Sequence, residues 1–475
     1  MSENSSPEPA LQFNLSEQAY YLDDANPDRA DLDTILIKLV LQDDLDQFQA
    51  TLDEKQLQWL AKQSFTAKVG QFAWLPHGQS QCLVVGTDAQ EDFRTLGNLA
   101  LTLPEGTYRL DSNISDQAVI GWGLGAYQFL RYRSAKRMPA QLIIPNTNDT
   151  NRICNVVDSM ALSRDLVNTP AADMAPSHLA AEVQALAEKF AASFNLVSGD
   201  ELLDMQCGAI HAVGRAAEDP PCLVDLEWGE QSNPSIVLVG KGVTFDSGGL
   251  DLKPASGMRL MKKDMGGAAT AIGLAHLIMA QQLPVHLRLL VPAAENAVAG
   301  NAFRPGDILQ TRKGLTVEID NTDAEGRLLL CDALALACEE KPDYIFDFAT
   351  LTGSARSAVG TEIAAMFCND DDLAATLGHL SKTCADPVWH MPLHSGYEHM
   401  IDSKIADMVN SAASPYAGSV TAALYLQRFV EDCIWTHFDI MAFNTRNRPG
   451  HPEGGEAMAL RTVFTFLEQL PNESA

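Results

Sequence analysis

Between residues 235 and 348, short apolar runs alternate with helical patterns, and this alternation constrains the fold more than any other feature of the chain. Ser235-Ile-Val-Leu-Val-Gly240 reads as a buried strand ending in glycine, and Gly266–Gln281 as an alanine-rich helix opening on Gly266 and Gly267. Val285–Val291 is a second strand run, closed by Pro292; Gly326–Glu340 has a helical period, and Tyr344-Ile-Phe-Asp-Phe348 is a third strand. Strands that are apolar throughout, separated by helices, build a largely parallel sheet covered on both faces. Ligands in such sheets collect at the carboxyl ends of the strands. The polar clusters of this chain lie on loops that follow or join these strands.

At 475 residues the chain exceeds the size at which one core stops growing, so two domains are expected. The fold class is α/β. Residues 1–147 read as a smaller, macro-like N-terminal α/β domain behind a polar tail, Met1–Leu32. Residues 148–170 read as a connecting helix and linker, and residues 171–475 as the larger domain, with a central, mostly parallel sheet flanked by helices. The break falls at the polar turn Pro145-Asn-Thr-Asn-Asp-Thr-Asn151, after which Arg152–Leu166 reads as a helix stopped by Asn168-Thr-Pro170. In the first domain Gln81–Val85 is strand-like and Ala118–Tyr132 is helical in pattern. The latter contains Gly121-Trp-Gly-Leu-Gly-Ala126, which touches the alanine-ended dinucleotide fingerprint. No βαβ unit surrounds it, so it reads as a small-residue packing face.

Composition excludes several classes. With 46% hydrophobic and 20% charged residues the chain is globular. A net charge of −29, from 62 acidic against 33 basic residues, repels phosphate backbones and anionic lipid, which disfavours nucleic acid and membrane partners. Solubility alone accounts for such acidity; attraction of cationic peptide ends is the alternative. The N-terminal stretch lacks the basic start and apolar run of a secretory signal, and no segment approaches the ~20 apolar residues that cross a bilayer. The nine cysteines are scattered and form no C-x-x-C pair, which argues for reduced thiols in a cytoplasmic protein.

Three clusters carry chemistry. In Gly240-Lys-Gly-Val-Thr-Phe-Asp-Ser-Gly-Gly249, followed by Lys253, a carboxylate and two lysines surround a glycine turn; a solvated turn is the plain alternative, and no phosphate-loop pattern is met. In Met261-Lys-Lys-Asp264-Met-Gly-Gly-Ala-Ala-Thr270, Asp264 stands before a helix as an N-cap or a metal ligand, and Lys262 and Lys263 read as surface charges. In Asn321-Thr-Asp-Ala-Glu-Gly-Arg-Leu328, Asp323, Glu325 and Arg327 alternate, so an extended loop points all three one way. Adjacent carboxylates must share a proton or a cation. Arg327 would answer in a salt-bridged loop. Divalent ions answer more fully, because Asp246, Asp264, Asp323 and Glu325 together suffice for two metals with open positions. Of the eleven histidines none lies in H-E-x-x-H, and His276, His286, His390, His394 and His437 fall outside the clusters. A histidine-ligated zinc hydrolase is disfavoured, as is a serine nucleophile, since G-x-S-x-G is missing.

These clusters, in this order and spacing, resemble the leucine aminopeptidase family of dinuclear metallo-exopeptidases. Residues 321–328 look like its signature octapeptide in full, and further likeness runs through Asp165–Pro170, Asp347–Gly353 and Ser403–Asp407. The resemblance implies removal of N-terminal residues, leucine and other apolar ones foremost, by metal-activated water. It implies that Asp246 and Glu325 bridge two metals, that Lys241 (as a neutral amine) and Asp264 complete the tighter site, and that Asp323 completes the exchangeable one. The ions implied are zinc or manganese, with magnesium or cobalt as alternatives at the exchangeable site. Lys253 would stabilise the oxyanion, Arg327 would hold bicarbonate, Asp264 would receive the substrate amine, and Met261, Asn321, Thr350 and Gly353 would line the substrate pocket. A homohexamer acting on peptides in the cytoplasm is implied as well. One departure stands out: the family's small-residue Asp-Ile-Ala-Gly segment reads Asp439-Ile-Met-Ala-Phe443 here, with bulkier Met441 and Phe443. Competing readings are a non-catalytic assembly or DNA-binding protein on the same fold, which the full ligand set and the acidity disfavour, and a dipeptidase for Cys-Gly.

Overall fold

The computed structural model describes residues 20–23, 34–78, 80–135 and 137–470. They form two compact units. One holds Leu162–Asn444 and the chain from Gly454 on, and the other the chain up to Ala161 together with Thr445–Glu453. The division falls inside a continuous helix, Thr150–Asn168.

In the smaller unit six strands lie in the order Tyr21–Asp23, Gln141–Ile144, Thr107–Leu110, Thr34–Leu41, Ser80–Thr87, Phe72–His77. All neighbours are parallel except the last pair. The polar tail therefore contains a strand: Tyr20, Tyr21 and Leu22 are apolar enough to be buried, and Tyr21–Asp23 pairs with Leu142–Ile144. The remainder of the tail lies outside the described residues. The helix expected over Ala118–Tyr132 is Asp116–Ala126 and ends where Tyr127 turns to ψ 135°. Its glycines are a packing face: a Cβ on Gly125 would stand 1.9 Å from the Gly97 carbonyl oxygen.

The larger unit is built on a nine-stranded sheet. Four parallel strands form its centre, in the order Trp435–Asp439, Tyr344–Ala349, Ser235–Gly240, His286–Asn296. Antiparallel pairings flank them, to Ala364–Cys368 on one side and to Cys222–Trp228 on the other. Alternation along Ser235–Gly240 explains the two helical layers. Val237 and Val239 join a core with Leu328, Leu329 and Ala333 of the helix Gly326–Cys338. Gly240 faces the opposite layer, the helix Gly266–Ala280, where a Cβ on it would stand 2.5 Å from the Ala268 Cα. That helix approaches the sheet so closely that a Cβ on Gly267 would lie 2.0 Å from the Phe348 carbonyl oxygen.

The strand expected to close at Pro292 continues to Asn296. Pro292 lies where the parallel partner changes: Leu290 pairs with Val239, and Ala293 pairs with Gly242 of a further parallel strand, Gly242–Asp246, while on the other edge Pro292 stands opposite Leu223. Within that second ladder Thr244 is an extra residue, since Val243 and Phe245 oppose the consecutive Ala294 and Glu295.

Candidate active site

Lys241 stands at the hand-over between the two ladders, just past the carboxyl end of Ser235–Gly240. Its backbone N–H donates to the Phe348 oxygen at 3.0 Å and its own oxygen accepts from Ala268 N at 2.9 Å. The side chain runs past Gly326, where a Cβ would lie 2.5 Å from the Lys241 Cε, so the glycine of the octapeptide opens the lysine's path. Its Nζ lies 2.6 Å from Asp264 Oδ2 and 3.0 Å from Glu325 Oε1. Asp246 ends its strand with Oδ1 accepting from Gly248 N at 2.9 Å and Asn296 Nδ2 at 2.8 Å, and Oδ2 lies 2.7 Å from Lys253 Nζ. Lys253 reaches across to Asp323 as well.

Asp264 does not cap the following helix. It sits buried in a 3-10 turn, Met261–Met265, and accepts the Thr350 hydroxyl at 2.7 Å. Glu325 occupies the cap position of Gly326–Cys338 with helical backbone angles and no cap hydrogen bond. Both carboxylates thus stand at the positive ends of helices. The extended arrangement expected for Asp323, Glu325 and Arg327 is not formed, because Gly326 starts the helix and carries Arg327 inside it. Arg327 pairs with neither carboxylate: its Nη1 donates to the Asn410 oxygen at 2.6 Å, its guanidinium lies 5.9 Å from the Tyr425 ring centre, and its Nε has no hydrogen-bond partner.

Carboxylate oxygens of Asp246, Asp323 and Glu325 all lie within 4.8 Å of one another. Burial, then the charge of Asp246, pushes Glu325 up to about 8 and Asp323 up to about 6. Glu325 is raised even though Lys241 lies beside it, because burial and the charges of Asp246 and Asp264 outweigh that ammonium. Asp264, itself pressed upward by burial, is held down at about 2 by Lys241 and Lys263. Burial works against the charge of Lys241 and of Lys253, but the surrounding carboxylates outweigh it and hold both above the usual lysine range. Glu325 Oε2 is buried without a hydrogen-bond partner, and Asp264 Oδ2 meets Lys241 off the line a hydrogen bond needs. Four carboxylates sharing two ammonium groups, with oxygens left over, are a donor set that fits divalent cations.

Residues 161–464 match the model of the cytosol aminopeptidase family, catalytic domain, and residues 35–145 match that of the M17 aminopeptidase N-terminal domain. The chain belongs to the cytosol aminopeptidase family. It is an aminopeptidase, and so a peptidase hydrolase. A probable cytosol aminopeptidase of Syntrophotalea carbinolica is 37% identical over 417 residues, 83% of this chain and 84% of that one. The crystal structure of cytosol aminopeptidase from Coxiella burnetii is 45% identical with a TM-score of 0.89, covering 94% of this chain and 99% of that one. The bottromycin maturation enzyme BotP in complex with Mn is 31% identical with a TM-score of 0.84, covering 92% and 99%.

Around this cytosol aminopeptidase site, several positions went unread in the sequence. Asn296 fixes Asp246. Asn410 ties the octapeptide loop: its Oδ1 accepts from Asp320 N at 2.8 Å and its Nδ2 donates to the Asn321 oxygen at 2.7 Å. Asp439 accepts from Leu351 N at 3.0 Å, Thr352 N at 3.1 Å and Thr352 Oγ1 at 2.5 Å, fixing the loop that carries Thr350 and Gly353. Asn321 spends its Oδ1 on Asp323 N, 2.8 Å away. Lys262 donates to the Asn168 oxygen at 2.5 Å, and Lys263, expected at the surface, is buried because the 3-10 turn folds it inward beside Asp264. Met441 is buried and Phe443 half-buried. His437 is buried against Asp347, 2.6 Å away, and none of the five histidines named above belongs to the carboxylate cluster.

Proposed function

We propose that this member of the cytosol aminopeptidase family is a two-metal exopeptidase that releases single residues from the N-termini of peptides. The convergence of Asp246, Asp264, Asp323 and Glu325 on Lys241 and Lys253, with Glu325 Oε2 unpartnered, carries this reading. Asp246 and Glu325 would bridge two divalent ions, Lys241 and Asp264 would complete the tighter site, and Asp323 the exchangeable one. Bound there, the ions supply an activated water and a Lewis acid for the scissile carbonyl. Lys253, held between Asp246 and Asp323, keeps a positive charge where the oxyanion develops. Asp264, oriented by the Thr350 hydroxyl, stands where the substrate's free amine binds, which confines cleavage to the chain end. Arg327, buried with an unpartnered Nε, is the group that would hold a bicarbonate ion. Met261, Asn321, Thr350 and Gly353 line the substrate pocket.

Zinc or manganese is the proposed metal, with magnesium or cobalt as alternatives at the exchangeable position. A hexamer in the cytoplasm is the proposed setting; nine free cysteines agree with a reducing compartment, and no described helix is long and apolar enough to cross a membrane. The test is hydrolysis of a leucine anilide before chelation, after chelation, and after manganese or zinc is returned, beside Glu325→Ala. Activity lost on chelation, restored by metal and missing in the variant is expected. Fully metallated protein that releases nothing from a broad peptide panel would overturn the proposal.

A further inference from the structure

Lys253 is carried by a turning loop, residues 247–253, whose middle stands in solvent. Gly248 and Gly249 turn it at φ +89° and +63°, and Leu250, Asp251 and Leu252 are exposed. The two ends are fixed. Ser247 N and Oγ donate to the Asn296 oxygen at 3.2 and 2.6 Å, and Lys253 N donates to the Ser247 oxygen at 3.0 Å. Between them, among the described residues, Asp251 alone of residues 249–252 is hydrogen-bonded to another part of the chain, and its partner is Thr322.

The two residues clasp each other. Thr322 N donates to Asp251 Oδ2 at 2.8 Å, Asp251 N donates to Thr322 Oγ1 at 2.9 Å, and that hydroxyl donates to the Gly248 oxygen at 2.7 Å. Thr322 is fully buried, and its own oxygen accepts at 3.1 Å from Asn296 Nδ2, the group that also fixes Asp246. The octapeptide loop is tied without Asp251: Asn410 bonds Asp320, Asn321 and Ala324, and Asn321 bonds Asp323 N. The clasp thus fastens a sparsely tied loop to a firmly tied one. It does so at the carboxylate cluster, since a Cβ on Gly248 would stand 3.1 Å from Asp323 Oδ1.

Resting on the two-metal reading above, we propose that Asp251 is a positioning residue for peptide hydrolysis and acts through Lys253. The Lys253 ammonium is aimed here by Asp246, 2.7 Å away, and by Asp323. Metal ions would draw on those same carboxylates, so the lysine needs a hold that the metals do not take over. The hydrogen bonds between Asp251 and Thr322 are that hold: they fix the backbone from which the lysine side chain starts. A charge serves a developing oxyanion only in the right place, and a misplacement of about 1 Å can cost about a hundredfold in rate.

The experiment measures kcat and KM of the full-length, manganese-loaded protein on a leucine anilide, beside Asp251→Ala, Asp251→Asn, Thr322→Val, Lys253→Met and the Asp251→Ala, Lys253→Met pair. Asp251→Ala should lower kcat about tenfold and leave KM within about twofold. Asp251→Asn keeps an oxygen for the Thr322 amide and should stay within about twofold of the parent. Thr322→Val should resemble Asp251→Ala. Lys253→Met should cost about a hundredfold, and on that background Asp251→Ala should change kcat by less than about twofold, since the group it positions has gone. Two readouts need no turnover. Hydrogen exchange of the metal-free protein should quicken across residues 248–253 in Asp251→Ala and stay unchanged across residues 323–328. The phosphonic acid analogue of leucine, whose tetrahedral oxyanion mimics the intermediate, should bind Asp251→Ala about tenfold more weakly than the parent, while neutral leucinol binds both alike. Parent-like kcat in Asp251→Ala, an asparagine variant no better than alanine, or an undiminished loss on the Lys253→Met background overturns the role given to Asp251 and leaves the aminopeptidase reading standing. A metallated parent that releases nothing from any peptide brings down that reading, and this proposal with it.

Discussion

Asp439 offers the sharpest test of how the substrate-facing loop is held. It is 2% exposed and supplies both carboxylate oxygens to residues 351 and 352. In Asp439→Ala the Leu351 and Thr352 amides lose their acceptor, and each buried amide so orphaned costs about 1–3 kcal/mol. Leu351 is half-buried and water can reach part of the loss, while the Thr352 hydroxyl can turn elsewhere, so the sum is about 3 kcal/mol. Asp439→Asn keeps one oxygen, enough for the two amides on Oδ1, and presents an amide to a hydroxyl able to accept; about 1 kcal/mol is expected. Because the same loop carries Thr350 to Asp264, the alanine variant should lose kcat/KM for any anilide by a larger factor than the asparagine variant. Urea unfolding of both variants at one protein concentration, followed by steady-state kinetics, reads the two effects. An alanine variant within about 0.5 kcal/mol of the parent, or one no worse than asparagine, refutes this account of the loop.

Gly267→Ala should destabilise by about 3 kcal/mol, because the new methyl meets the rigid Phe348 carbonyl at 2.0 Å, whereas Gly378→Ala, on the helix Asp371–Thr383 with nothing within 4 Å, should stabilise by about 0.5–1 kcal/mol; thermal unfolding of the pair decides. His276 is pulled from 6.5 down to about 3 by burial and by Lys189, whose Nζ lies 3.2 Å from its Nε2. Its folded pKa is depressed, so above 6.5 it has no effect, and stability falls as the unfolded chain takes up the proton between 6.5 and 3. By about pH 5 the loss is about 2 kcal/mol, and His276→Gln should flatten that part of the stability–pH curve; equal slopes in parent and variant would count against it.

Much of the site was legible because its residues sit in three compact stretches, each bracketed by glycines that mark turns or helix starts. Three of the four central strands and both flanking helices were legible because apolar residues dominate them, whereas the fourth, Trp435–Asp439, carries Thr436, His437 and Asp439 among its residues and does not stand out. What could not be read depends on partners far along the chain. Asn296, Asn410 and Asp439 are ordinary polar residues until the sheet brings them beside Asp246, the octapeptide and Thr350. Lys263 looked solvated because its sequence neighbours are polar, yet burial is decided by how the turn at Met261–Met265 folds. Alternation misled at Asp323, Glu325 and Arg327, since a period of two holds only in extended backbone and Gly326 begins a helix.

The extra residue at Thr244 settles a question of parity. Lys241 and Asp246 are an odd number of residues apart, and in an unbroken pleat an odd separation sends two side chains to opposite faces. The bulge absorbs one step, so the two side chains leave the same side of the sheet, toward the cluster they share with Glu325. The interval between them is therefore a fixed count: lengthening or shortening it by one would turn the Asp246 carboxylate to the opposite face of the sheet.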